Sequence, residues 1–300
     1  MLLQQLINGI TLGSVYALIA LGYSMVYGIL ELINFAHGEI YMLGAYFGII
    51  FFGFLTMLGV TNYSIFLSLI LTFLLSIMFC SAYGFTIEKI AYKPLRNSTR
   101  LSPLISAIGV SIFLQNYVML TQGATDKVFP NLFGARGFYF LSIRMTYIQL
   151  FIIIVSILIM IFLRLFIRRT KIGKAMRAVA QDKTMASLVG INIDTIISIT
   201  FIIGSALAAV AGLMVAMYYG LVNYFIGYIA GIKAFTAAVL GGIGSIRGAM
   251  VGGLLLGLVE SLGGSYISGE YKDAYAFVIL IIILLVKPGG LFRKAELEKV

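Results

Sequence analysis

Long apolar runs separated by short polar breaks organise this chain. Runs at 6–30, 40–58, 63–87, 103–121, 145–163 and 193–219 are close to or above the roughly 20 residues a helix needs to cross a bilayer. Shorter runs follow at 232–240, 249–262 and 274–286. Apolar residues fill these runs continuously and do not alternate with polar ones, which argues against a β-barrel. The pattern predicts an all-α fold: a polytopic transmembrane helical bundle of about eight or nine spans, with broken or re-entrant segments. No linker or low-complexity tail divides the chain, so 1–300 reads as a single transmembrane domain.

The longest polar stretch, 164–192, reads RLFIRRTKIGKAMRAVAQDKTMASLVGIN. It carries Arg164, Arg168, Arg169, Lys171, Lys174, Arg177 and Lys183 against a single acid, Asp182. Positive charge between two spans marks a cytoplasmic loop. Residues 174–188 lack Gly and Pro and are rich in good helix formers, and Gly190 follows where a C-cap would sit. This predicts one short surface helix. Met176, Val179, Ala180, Lys183 and Ser187 share one face, while Met185, Ala186 and Val189 border the other side. Such a helix is expected to offer small and apolar residues toward the cytoplasm, as a handle for a soluble partner. The alternative is an ordinary basic loop that only sets topology.

Composition supports the membrane assignment. Charged residues make up 11% of the chain and hydrophobic ones 61%, whereas a soluble domain carries about 25% charge. The net charge of +10 is topological. All 21 Lys and Arg residues fall on one side of the bundle except Lys127, Arg136, Arg144, Lys233 and Lys272. The richer side is cytoplasmic. That puts the C-terminus inside, with the N-terminus outside for nine passes and inside for eight. No basic stretch is interleaved with aromatics as nucleic-acid binding requires. Cys80 and His37 are the sole residues of their types, so an internal disulfide and most Cys or His metal sites are excluded. No Lys or Arg precedes Lys89. The positive start of a secretory leader is missing, and the first run is expected to be a permanent span.

Two places break the apolar pattern. The first is ELINFAHGEI, with Glu31, Asn34, His37 and Glu39. Charge at the membrane centre costs about 2.5–3.5 kcal/mol on insertion scales. These groups therefore either sit in a watery turn or line the inner mouth of a path through Asn34, His37 and Glu39. The second is GGIGSIRG, with Gly241, Gly242, Gly244, Ser245 and Gly248. It reads either as tight packing or as a discontinuous helix beside a path. Its apolar halves form either two tightly turned passes or one re-entrant unit. Glu260, inside the next run, must face the bundle or a cavity.

No nucleophile–base pair or phosphate loop appears, so a membrane enzyme is the weakest reading and any ATP must bind another subunit. Glu31, Glu39 or Glu260 keep an ion-coupled carrier open. LINFAHGEIYMLGAY, RAVAQDKTMASLVGIN and KAFTAAVLGGIGSIRGAMVGGLLLGLVE resemble the inner-membrane permease of bacterial branched-chain amino-acid ABC importers, over nearly the whole chain. The resemblance implies a heterodimer with a second, related permease and two cytoplasmic ATPase subunits that bind ATP and Mg. It also implies an extracytoplasmic solute-binding protein that delivers Leu, Ile or Val, and no cofactor on this chain. The segment around 180–190 would be the coupling helix, so Arg177, Ala180, Gln181, Asp182, Met185, Ala186 and Gly190 would meet the ATPase. The family often has an acid where Gln181 stands and a proline where Arg247 stands. Related permeases carry amides, urea or other amino acids.

Overall fold

The structure, a computed structural model, describes residues 1–292 other than 97, 100, 133, 135, 136, 141 and 142. Arg100, Arg136, Arg293, Lys294 and Lys299, which entered the charge count, lie outside the described residues. The helices are α1 (Leu2–Leu30), α2 (Ala36–Met57), α3 (Val60–Tyr63), α4 (Ile65–Ile87), α5 (Leu101–Gln122), α6 (Tyr147–Arg169), α7 (Lys171–Gln181), α8 (Lys183–Leu188), α9 (Ile193–Tyr219), α10 (Ile226–Gly241), α11 (Ile246–Tyr266) and α12 (Lys272–Val286). Among the described residues, seven helices are long and apolar enough to cross a membrane; α10 is a shorter apolar helix of 16 residues. Side-chain caps start several of them: Ser64 for α4, Thr146 with Gln149 for α6, Asn192 for α9 and Ser245 for α11. Each cap satisfies a backbone N–H that a helix start leaves without a partner.

α1 is the axis, buried along most of its length. It runs antiparallel to α11, with Gly253 against Ala17 and Gly257 against Gly13. A Cβ at Gly257 would lie 2.2 Å from the Gly13 nitrogen, so the two backbones touch where no side chain intervenes. α9 packs against α1, α2 and α4.

The bundle has two distinct ends. At the Met1 end, Gln4 bonds to the backbone of Arg144, and Ser261 bonds to the Gln5 carbonyl. Short strands sit at the same end. β1 (Lys127–Val128) pairs antiparallel with β4 (Leu221–Val222), and β2 (Gly137–Phe140) pairs with β3 (Ile143–Thr146). At two to four residues they are too short to print an alternating pattern on the sequence. At the Leu30 end, the 164–192 segment, the α10–α11 turn and the residues after α12 gather together. The described residues of the basic loops expected on one side therefore lie at one end.

Two helices begin away from these ends. His37, in the first turn of α2, lies against Gly22, two turns or about 12 Å before α1 finishes. Residues 31–35 must therefore run back along α1 before α2 begins. α10 likewise begins with Gly227 and Gly231 packed on Gly38, so half of the turn anticipated at 220–231 is helical. α10 and α11 are two antiparallel helices, with Gly241 on Gly248 and Gly252 on Ala237. The glycine break is the tight turn between them. The discontinuity lies at the two helix starts.

The 164–192 segment corrects the sequence reading in three ways. α6 continues to Arg169 and takes in Arg164 and Arg168. The single helix expected at 174–188 is two helices, because Asp182 leaves helical geometry and its carboxylate accepts from the Met185 N–H at 2.9 Å. Met176, Val179 and Ala186 are buried, since α7 folds back on α6 and α1 and Gly173 packs against the Ile167 backbone. Gly190 does end α8: at φ +83° it closes a Schellman motif, with Ile191 N bonded to Ala186 O and Gly190 N to Ser187 O.

Gly242 has φ +103° and meets the Gly290 backbone. A Val there combines a β-branched side chain with a backbone region that costs about 1–3 kcal/mol. Gly242→Val should lower the melting temperature in detergent, while Gly53→Ala, at a site with open space around it, should not. Equal melting curves for the two would show the turn to be tolerant.

Candidate functional site

The interrupted start of α2 brings together Asn34, His37 and Glu39, all buried; only Glu31, at φ +60°, is exposed. The watery turn is therefore not their setting. The Tyr92 hydroxyl donates to Asn34 Oδ1 at 2.7 Å, and Ser111 donates to Glu39 Oε1 at 3.0 Å. The Tyr23 ring meets His37 edge-on at 4.8 Å. Asn34 Nδ2, His37 Nε2 and Glu39 Oε2 are buried without a hydrogen-bond partner. Such orphans cost roughly 1–3 kcal/mol each, so their concentration in one place is informative.

Beside them lies a cavity of about 330 Å³ between α5 and the start of α10. Tyr23, Ser111 and Gln115 give it a polar side, and Ile108, Ile112 and Ile232 an apolar one. Phe35 and Phe225, which precede α2 and α10, also line it. Neither helix has a side-chain cap.

Glu260 is elsewhere. Lys233 Nζ contacts its Oε1 at 2.8 Å and Asp273 at 2.7 Å, and the Tyr16 hydroxyl donates to Oε2 at 2.9 Å. Lys233, counted with the charges of the outer side, is a buried residue of α10. The sequence did carry a signal, since a lysine inside an apolar run demands a carboxylate partner. The network ties α1, α10, α11 and α12 together. At the glycine break, the Ser245 hydroxyl caps α11 through the Gly248 N–H, and Gly241 and Gly242 are buried in the turn.

In the polar segment, Arg177, Ala180, Gln181, Asp182, Met185 and Gly190 are exposed, and Ala186 is not. Leu188 and Val189 add to Met185 an exposed apolar tip. Behind it, Arg177 and Ala180 share a small cavity of about 90 Å³ with Gly28 and Gly244. Next along the chain, Asp194 pairs with Lys93 at 2.9 Å and with Arg96, and Arg96 also pairs with the fully buried Glu88.

The sequence profile of the permease component of branched-chain amino acid transport systems matches residues 5–284. The chain belongs to this family. The permease is 53% identical to LivH of Escherichia coli K12, a high-affinity branched-chain amino acid transport system permease protein, over 99% of this chain and 97% of the relative. It is 52% identical to BraD of Pseudomonas aeruginosa, over 99% and 98%. A probable branched-chain amino acid permease of Methanocaldococcus jannaschii is 29% identical over 95% and 90%. No solved structure matches. The permease is thus a multi-pass membrane transport subunit and not itself an enzyme.

Lys233→Met strands Glu260, and breaking a buried pair costs about 3–5 kcal/mol. Lys233→Met should therefore melt well below wild type, and adding Glu260→Gln should recover part of the loss. Thermal melts of the purified permease measure this; identical melts for the single and double variants would deny the pair its role.

Proposed function

We propose that this chain is the permease of an ATP-driven importer of Leu, Ile or Val in the bacterial inner membrane. The observation that carries this reading is the 53% identity to LivH, spanning nearly both chains. One transmembrane permease domain would cross the membrane nine times, with α10 and α12 completing the seven long spans and the N-terminus outside. The few cations near the Met1 end, Arg144, Lys127 and Lys272, against the basic loops at the other support that orientation.

ATP and Mg bind separate ATPase subunits, which grip α7, α8 and the Schellman turn. Support comes from the exposed Met185, Leu188 and Val189 tip set among Lys and Arg. A second, related permease pairs with this one, and a solute-binding protein delivers substrate to the Met1 end. The cavity open along α5 and α10 supports a path that the second permease helps to enclose. Asn34, His37 and Glu39 border that path, and the turn at Gly241, Gly242, Gly244 and Ser245 relays motion from the coupling helices through the small cavity at Gly28 and Gly244. Glu260, already paired with Lys233, serves packing.

The assembled transporter in proteoliposomes should take up leucine with ATP, and should continue when the proton gradient is collapsed. Uptake that follows the gradient without ATP would favour an ion-coupled carrier. Leu188→Asp should abolish most uptake while the permease still inserts, because it leaves a charge desolvated in the contact. Cysteines at Ala180 and Met185 should crosslink to the ATPase; crosslinks that never reach it would remove the docking assignment.

A further inference from the structure

We propose that Glu39, presented through Ser111, is the contact for the α-ammonium group of the amino acid as it passes the cavity between α5 and α10. The inference rests on the reading of this chain as an amino-acid permease and assigns the chemistry of one point on its path.

Glu39 is 1% exposed and lies in the first turn of α2. One carboxylate oxygen accepts from Ser111, whose residue forms part of the cavity wall. The other has no partner and points at the first turn of α10, where a Cβ on Gly227 would sit 2.4 Å from it. A buried carboxylate with an unsatisfied oxygen is costly, and ionisable groups inside membrane segments persist where they serve a path. A passing cation relieves the deficit directly. Gly227 has no side chain, so only backbone of α10 lies over that oxygen, beside the cavity wall formed by Ser111 and Gly231.

The cavity suits the rest of such a molecule. No Lys or Arg is among its lining residues, so nothing on the wall competes for Glu39 or repels an ammonium. Ile108, Ile112 and Ile232 give an aliphatic side chain an apolar surface. The uncapped starts of α2 and α10, marked by Phe35 and Phe225 in the wall, turn their positive dipole ends toward the same space, which suits the carboxylate. Gln115 Nε2 is a further buried donor without a partner, on the same wall. The contact must stay weak, because a path that holds its substrate tightly does not conduct. Its effect is therefore on the rate of passage and not on affinity for free leucine.

The test uses the complete transporter in proteoliposomes, with ATP-driven uptake of labelled leucine and co-purification of the subunits. Glu39→Gln should assemble and lose about tenfold or more in uptake, the size expected for a charge-assisted contact. Ser111→Ala should lose less. Glu39→Gln combined with Gln115→Glu places a carboxylate on the cavity wall, and uptake should rise several-fold above Glu39→Gln alone. A packing role for Glu39 would give no such rescue. Uptake by Glu39→Gln within about twofold of wild type, or an assembled double variant no better than the single one, overturns the inference. A wild-type complex that hydrolyses ATP yet moves no leucine removes the proposed function, and this inference with it.

Discussion

Backbone-to-backbone contact along α1 is the constraint on which the rest of the bundle depends. Lipid gives helices no hydrophobic reason to associate, so packing must come from close approach. Gly13 against Gly257 and Ala17 against Gly253 bring α11 onto α1 with no side chain between them. The same device joins α2 to α9, through Gly44 and Gly212. Once these pairs are fixed, α10 has one place left, along α11 and across the first turn of α2. The meeting of α2 and α10 is a consequence of packing elsewhere.

That meeting creates a polar problem inside an apolar body. Two helix starts without side-chain caps, an acid, a histidine and an asparagine lie together, and several of their polar atoms have no partner. The fold answers a comparable problem at Lys233 in the opposite way, saturating it with Glu260, Asp273 and Tyr16. One cluster is closed and the other is left open beside a cavity. Two polar clusters of one bundle thus differ in how fully their buried atoms are paired.

Much of this was legible in the sequence where the signal is local. The long spans follow from apolar run length, and the end of α8 from Gly190. The burial demanded of Glu260 followed from its place in a span. What escaped depends on contacts between distant residues. Nothing local says that Lys233 pairs with Glu260, that Ser111 reaches Glu39, or that Asp182 divides a stretch of good helix formers by capping the second half. Met176 and Val179 read as a cytoplasmic face because the partner surface that covers them, on α1 and α6, is far away in the chain.

The residues after α12 bear on the order in which the protein can be completed. Leu291 N donates to Leu240 O at 2.9 Å and Phe292 N to Gly241 O at 3.1 Å, closing carbonyls that the end of α10 would otherwise leave open. A ribosome delivers those donors only after α11 and α12 have been made. Until then α10 carries a frayed end next to the turn at Gly242. The last helix to be finished is therefore not the last to be synthesised, and a nascent chain halted before Gly290 would hold most of its spans yet lack the clasp that finishes α10.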